Sequence, residues 1–318
     1  MDKYVVTGGA GFIGSHLTRA LIARGYRVTV LDNFATGSRD NLRGIEADID
    51  LIEGDIVDYN IVSRALKGAR YILHQAALPS VPRSIKDPLR SNAVNITGTL
   101  NVLHAAKAAG AERLVYAGSS SVYGNQPGLP RVETMPTMPA SPYALNKLTG
   151  ETYVRLFCEL YGLQTITLRY FNVFGPRQNP HSAYAAVIPK FIESMLSRIP
   201  PPINGDGRQS RDFTYIDNVV AANLLALFAP TLDGTAVNIG GGGSVTLNEV
   251  CAKINRHLGL SLRPTHGPER TGDVKHSHAN IKKAEQLIGY RPQIAFDEGL
   301  QRTIQWFQAA RSSGEGNQ

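Results

Sequence analysis

Short apolar, β-branched runs alternate with stretches of helical periodicity through the first half of the chain. Residues 4–7, 27–31, 49–53, 71–74, 113–117 and 165–169 read as strands. Between them, residues 12–24 and 92–109 carry apolar positions at helical spacing, and 143–161 reads as a long helix closed by Gly162. Strands that alternate with helices predict an α/β fold with a doubly wound parallel sheet. After about residue 172 this rhythm weakens. Gly175-Pro176, Pro200-Pro201-Pro202 and Gly205-Asp206-Gly207 break the pattern and predict a smaller C-terminal lobe with longer loops. Val237-Asn238-Ile239 still reads as a strand that can return to the main sheet. The expected division is 1–172, then a lobe over 173–311 partly interleaved with that sheet, then a polar tail over 312–318.

Composition narrows the function classes. Hydrophobic residues make up 42% and charged residues 19% of 318, as in an ordinary globular protein. No apolar run reaches membrane-spanning length, and Met1-Asp2-Lys3 leads straight into a strand without a signal-peptide pattern. A cytoplasmic protein without membrane association is expected. The net charge of +7 is scattered along the chain, with no basic run to track nucleic acid. Cys158 and Cys251 fall in apolar helical patterns and read as small buried hydrophobes. Their spacing fits neither a zinc site nor a disulfide scaffold, and no metal is expected.

The first chemistry-bearing motif is Thr7-Gly8-Gly9-Ala10-Gly11-Phe12-Ile13-Gly14, between a strand and a helix. In such a loop one glycine makes the turn, one lets the backbone approach a pyrophosphate, and one lets helix and strand pack closely. The helix N-terminus then offers N–H groups and a positive dipole end to the phosphates. Asp32, in Leu31-Asp32-Asn33, ends the next strand about twenty residues on. A carboxylate there accepts from the adenosine ribose and repels a 2′-phosphate, which favours NAD over NADP. Asp55, in Gly54-Asp55-Ile56, also follows a strand, and either accepts from the adenine amino group or serves the turn.

The second motif is Tyr143-x-x-x-Lys147, whose side chains share a helix face one turn apart. A phenol that acts as a base near neutrality must come down by about 3 pK, or ~4 kcal/mol. A neighbouring ammonium pushes it that way. Ser119-Ser120-Ser121 ends the strand that begins near Arg113. Strand C-termini face the ligand crevice in this fold class, so a serine hydroxyl there can bind a reacting hydroxyl and relay its proton.

Together these residues resemble the extended short-chain dehydrogenase/reductase family, from Val6 to Phe307. The likeness also covers His74-Gln75-Ala76-Ala77, Asn95-Ile-Thr-Gly98-Thr99, Ser141-Pro142-Tyr143 and Arg169-Tyr170-Phe171-Asn172-Val173-Phe174-Gly175. It implies a Rossmann domain that binds NAD through Gly8, Gly11, Phe12, Ile13, Gly14, Asp32, Asn33, Gly37, Asp55, Ile56, Gln75, Ala76, Ala77, Asn95, Tyr143, Lys147 and Tyr170. Catalysis would fall to Ser119 or Ser120, Tyr143 and Lys147.

Gly205-Asp206-Gly207, Arg211-Asp212-Phe213 and Arg270-Thr-Gly-Asp273 resemble the nucleotide-sugar epimerase branch. There Asn172, Arg211 and Arg270 would meet a UDP diphosphate, which suits guanidinium forks. Pro79, Ser121, Gln178, Ala186, Val187, Asp273 and Ser277 would complete the substrate site. A small Ser277 leaves room for a 2-acetamido group, whereas Pro79 narrows the pocket where that branch has glycine. The likeness therefore implies C4 epimerisation of UDP-N-acetylglucosamine, with UDP-glucose second, by a homodimer paired through helices near 92–109 and 143–161. A UDP-glucuronate 4-epimerase and a non-catalytic NAD sensor are the alternatives. Ser120-Ser121, where dehydratases carry Asp-Glu, argues against dehydration.

Overall fold

The computed structural model describes residues 2–181, 185–269 and 275–312. The first half supplies β1 (Lys3–Thr7), β2 (Arg27–Asp32), β3 (Ile49–Glu53), β4 (Ala69–His74), β5 (Arg113–Ser119) and β6 (Gln164–Tyr170). Four short strands follow: β7 (Val173–Phe174), β8 (Pro202–Asn204), β9 (Ser210–Arg211) and β10 (Thr214–Tyr215). Then β11 (Ala236–Ile239) returns to the main sheet and pairs in parallel with β6, Val237 opposite Leu168. The last strands are β12 (Val245–Thr246) and β13 (Thr265–Gly267).

The main sheet is seven-stranded and parallel, in the order β11-β6-β5-β4-β1-β2-β3. The strand order reverses between β1 and β4, and in open sheets of this kind the ligand crevice lies outside the strand C-termini at that point.

Helices cover both faces. They are α1 (Phe12–Ile22), α2 (Tyr59–Leu66), α3 (Val81–Lys86), α4 (Pro88–Asn92), α5 (Thr99–Ala108), α6 (Pro142–Tyr161), α7 (Val187–Leu196), α8 (Ile216–Leu227), α9 (Leu247–Leu258), α10 (Lys282–Ile288) and α11 (Phe296–Ser312). Successive strand residues point to opposite faces. Val5, Leu31, Ile72 and Leu114 therefore pack with Val62, Val102, Leu103, Val154 and Phe157. Their neighbours Val6, Val30, Leu73 and Val115 pack with Leu17, Leu21, Val219 and Ala222. Burial on both sides explains why these strands read as unbroken apolar runs.

Three expectations change. The single helix over 92–109 is α4, a π-helical turn at Ala93–Gly98, and α5. The Thr99 hydroxyl donates to Asn95 O at 2.8 Å and widens the ladder there. The tail does not begin at Ser312, which closes α11 with its hydroxyl on Gln308 O. Cys251 is buried as expected, but Cys158 is half-buried.

Candidate active site

A cleft of about 710 Å³ opens at the reversal point, walled by the C-terminal ends of the strands. Gly8, Gly11, Phe12, Ile13, Gly14, Asp32, Asn33, Gly37, Asp55, Ile56, Gln75, Ala76, Ala77, Tyr143, Lys147 and Tyr170 all line it. Gly8 turns the chain at φ +71°, and a Cβ on Gly14 would stand 2.0 Å from Gly8 O. A Cβ on Gly11 would meet nothing closer than Gly8 O at 3.1 Å. The three glycines thus serve the turn, the close packing and the open approach. The α1 N-terminus carries no side-chain cap and no acidic residue in its first turn, so it faces the cleft as an anion site. Asp32 receives Ala10 N at 2.9 Å and Phe34 N at 2.8 Å, one on each oxygen. Burial raises its pKa against these hydrogen bonds. Asp55 accepts from Asn33 Nδ2 at 3.0 Å and pairs with Arg90 at 2.5 Å. Asn95 stands one layer behind the wall, where it donates to Leu78 O and accepts from Leu78 N. These features fit a dinucleotide with an unphosphorylated ribose.

Near the other end of the cleft, Ser119 closes β5, and its hydroxyl lies close enough to the Tyr143 phenol to pull the phenol's pKa down. Ser119 Oγ also lies 2.8 Å from Ser121 Oγ and accepts from Ser121 N. Lys147 is 4% exposed and donates to Ala117 O at 2.8 Å. Burial raises the Tyr143 pKa, and the Ser119 hydrogen bond opposes it. The same burial lowers the Lys147 pKa to about 7, against the charge that would favour the phenolate.

A second cavity, of about 290 Å³, adjoins the first. Asn172, Ala186, Val187 and Arg211 line it, and Ser80, Ala185 and Ala186 belong to both walls. Asn172 sits at φ +27° and donates to Asp212 O and Ser277 Oγ, so Ser277 lies behind Asn172. Pro79 and Gln178 line the larger cleft, where Gln178 Oε1 is buried without a protein partner. Arg270 and Asp273 lie outside the described residues.

The NAD dependent epimerase/dehydratase family model matches residues 4–240. The chain belongs to that family. A UDP-glucose 4-epimerase of Mycolicibacterium smegmatis is 37% identical over 96% of this chain and 98% of its own length. A UDP-N-acetylglucosamine 4-epimerase from Methanobrevibacter ruminantium, solved with UDP-N-acetylmuramic acid, superposes with a TM-score of 0.92. It is 40% identical and covers 97% of this chain and 98% of that one. A Thermus thermophilus UDP-glucose 4-epimerase, solved with NAD, has a TM-score of 0.89 at 37% identity, over 97% and 99% of the two chains. The protein is thus an NAD-dependent enzyme of the epimerase/dehydratase family.

Several wall residues of this family member escape sequence reasoning. Thr36, Ser80, Arg83 and Asn179 line the larger cleft. Behind the wall, Asn223 on α8 donates to the Tyr170 hydroxyl at 2.8 Å and accepts from Gln75 Nε2 at 3.2 Å. No local motif surrounds these positions; Ser80 offers only a helix-start serine before α3. Among the described residues no group of His, Cys, Asp and Glu suits a metal, and no helix is long and apolar enough to cross a membrane.

Proposed function

We propose that the enzyme interconverts the C4 epimers of a UDP-hexose, UDP-N-acetylglucosamine and UDP-N-acetylgalactosamine first, UDP-glucose and UDP-galactose second. One observation carries this reading: the cleft lined by Tyr143 and Lys147 shares Ser80, Ala185 and Ala186 with the cavity lined by Asn172 and Arg211. A sugar anchored by its diphosphate in the smaller cavity would meet the phenol across that shared wall. Bound NAD supplies the hydride acceptor and a positive ring that favours the phenolate.

The chain's residues do the rest. Tyr143 takes the proton of the sugar 4-hydroxyl and later returns it, and Ser119 holds the same oxygen. Lys147 fixes the ribose side of the cofactor. Arg211 and Asn172 hold the diphosphate while the 4-keto sugar turns its other face, which demands a firm grip on UDP and a loose grip on the sugar. Small side chains at Ala185, Ala186 and Ser80 support the acetamido preference. Arg83 in the cleft wall favours UDP-glucuronate as the second reading, since a uronate needs a cation.

The test offers UDP-N-acetylglucosamine, UDP-glucose and UDP-glucuronate in parallel and follows the C4-epimeric products. Turnover is expected to be fastest with the first. Exclusive turnover of UDP-glucuronate would overturn the preference, and no turnover of any would overturn the epimerase.

We further infer that two copies pair through the helices near 92–109 and 143–161, where Leu89 on the adjoining α4 and Leu145 on α6 stand exposed. Size-exclusion chromatography with light scattering should give twice the chain mass, and Leu89→Lys should halve it.

A further inference from the structure

The backbone around Tyr143 holds an arrangement that the mechanism has not used. Tyr143 is the second residue of α6, where a backbone N–H has no partner within the helix. Pro142 before it has no N–H, and Ser141 Oγ receives Ala144 N at 3.2 Å. The Tyr143 N–H goes outside the helix, to Ser84 Oγ at 3.0 Å. Ser84 lies on α3 and is 1% exposed. Its hydroxyl proton goes to Val81 O at 2.7 Å, which leaves a lone pair for Tyr143. One helix further on, Ser91 repeats the pattern. It donates to Asn146 Oδ1 at 2.9 Å and receives Asn95 Nδ2 at 3.3 Å. Two buried hydroxyls thus tie α3 and α4 to the start of α6.

The same short helix borders both cavities. Ser80, Val81 and Pro82 line the smaller one, and Ser80 and Arg83 the larger. Ser80 caps α3 with its Oγ on Arg83 N and is held at φ +97°. Such a conformation persists in a non-glycine residue only where the surroundings enforce it. A ligand that presses on this wall therefore presses on the segment that holds Tyr143.

We infer that Ser84 is a positioning residue for Tyr143: its hydroxyl sets the phenol against Ser119 and couples that alignment to the wall of the sugar-side cavity. The inference rests on Tyr143 as the acid–base group. A reacting group displaced by about 1 Å loses on the order of 10²-fold in rate. The titratable and charged groups that line the same cleft as Tyr143 are Lys147 from its own helix, Arg83 from α3, Tyr170 from β6, Asp32 from β2 and Asp55, and Tyr116 from β5 lies within electrostatic reach of the phenol. None of these is removed by truncating Ser84. The Ser119 hydrogen bond lowers the Tyr143 pKa, so a phenol that drifts from Ser119 titrates at higher pH.

The test compares Ser84→Ala, Ser84→Cys and Ser84→Thr in the NAD-loaded enzyme. Alanine is expected to lower kcat about tenfold, leave the KM for the UDP-sugar and the bound NAD unchanged, and move the acid limb of the kcat profile to higher pH. Threonine, which keeps the acceptor, should restore both. If the alanine protein does not fold, cysteine, similar in size but a weak acceptor, carries the same readouts. A second measurement does not need turnover: with 3-fluorotyrosine incorporated at Tyr143, the fluorine resonance should titrate at higher pH in the alanine or cysteine variant. An unchanged midpoint, an unchanged kcat, or a loss of rate without movement of the pH profile would overturn the role. Should the parent enzyme turn over no UDP-sugar, the epimerase reading fails while the fluorine titration still decides Ser84.

Discussion

The dinucleotide cleft takes its walls from the ends of consecutive parallel strands: Gly8 to Gly14 after β1, Asp32 at the end of β2, Asp55 after β3 and Gln75 after β4. The smaller cavity gathers Ser80, Asn172, Val187, Arg211 and Leu247, drawn from stretches scattered over more than half the chain. In the first region a short motif carries its own geometry, because strand, turn and helix are covalently continuous. In the second, each residue depends on the docking of segments far apart in sequence. Changes in the cleft should therefore act on NAD and chemistry, and changes in the lobe on UDP. Substitutions in either region can break that separation.

The largest effect belongs to Tyr143→Phe, which removes one oxygen where the two regions meet. General acid–base groups contribute roughly 10²–10⁴-fold, so kcat should fall by that order. NAD should still co-purify and UDP should bind as before. Initial rates and the cofactor released on denaturation check this, and near-normal turnover would take Tyr143 out of the mechanism.

Lys147 gives the next effect, through pH. Its folded pKa, about 7, lies below its ordinary value because it is buried. Between about 7 and 10.5 the unfolded chain binds the proton that the folded chain has lost. Stability on this account rises with pH across that window. Lys147→Met should abolish the slope and stabilise the NAD-free protein below pH 7 by roughly 2 kcal/mol or more. Denaturant midpoints at pH 6 and pH 9, for both proteins, read it out. Parallel pH curves would mean that Lys147 stays charged in the fold.

A paired substitution tests the separation directly. Asp32→Asn removes a buried charged acceptor at the ribose end, and hydrogen bonds to charged groups are worth about 1.5–3 kcal/mol. NAD should bind some 10- to 100-fold more weakly, with UDP affinity unchanged. Arg211→Ala should show the reverse pattern at similar size, since Arg211 lines the smaller cavity. Calorimetric titration of each ligand against each variant decides the matter. A loss of both affinities in either variant would show the two regions to be coupled.

How much of this was legible followed the same division. The six strands of the first half, the glycine loop, Asp32 and the Tyr143–Lys147 pair stood out because their spacing is local. β11 was visible as a strand, yet nothing in its own residues says that β6 is its neighbour. Ser84 and Asn223 are invisible in the sequence because each acts on a residue from another element. The electrostatics of the Tyr–Lys pair are not legible for a different reason. Spacing reports proximity, whereas the burial that raises Tyr143 and lowers Lys147 comes from the surrounding fold.

One legible signal in the lobe passed unread, and it supplies the smallest prediction. Thr246-Leu-Asn-Glu249 is a helix-start signature, and the structure forms its full reciprocal cap. Thr246 Oγ1 accepts from Glu249 N at 3.2 Å, and Glu249 Oε2 accepts from Thr246 N at 2.7 Å. These hydrogen bonds lower the Glu249 pKa. The cap therefore stabilises the fold above the carboxyl's ordinary value, and that share is lost as pH falls through the depressed one. Thr246→Ala should cost about 1 kcal/mol and flatten the acid side of the stability curve only in part, because alanine keeps the backbone donor to Glu249. Val245 pairs with Arg211 across β12 and β9, and Leu247 lines the smaller cavity. Any effect on ligands should therefore appear as a slight weakening of UDP, and NAD affinity should not move. If NAD weakened instead, the cap of α9 would be transmitting strain into the main sheet, and the independence of the two regions would fail at its most distant point.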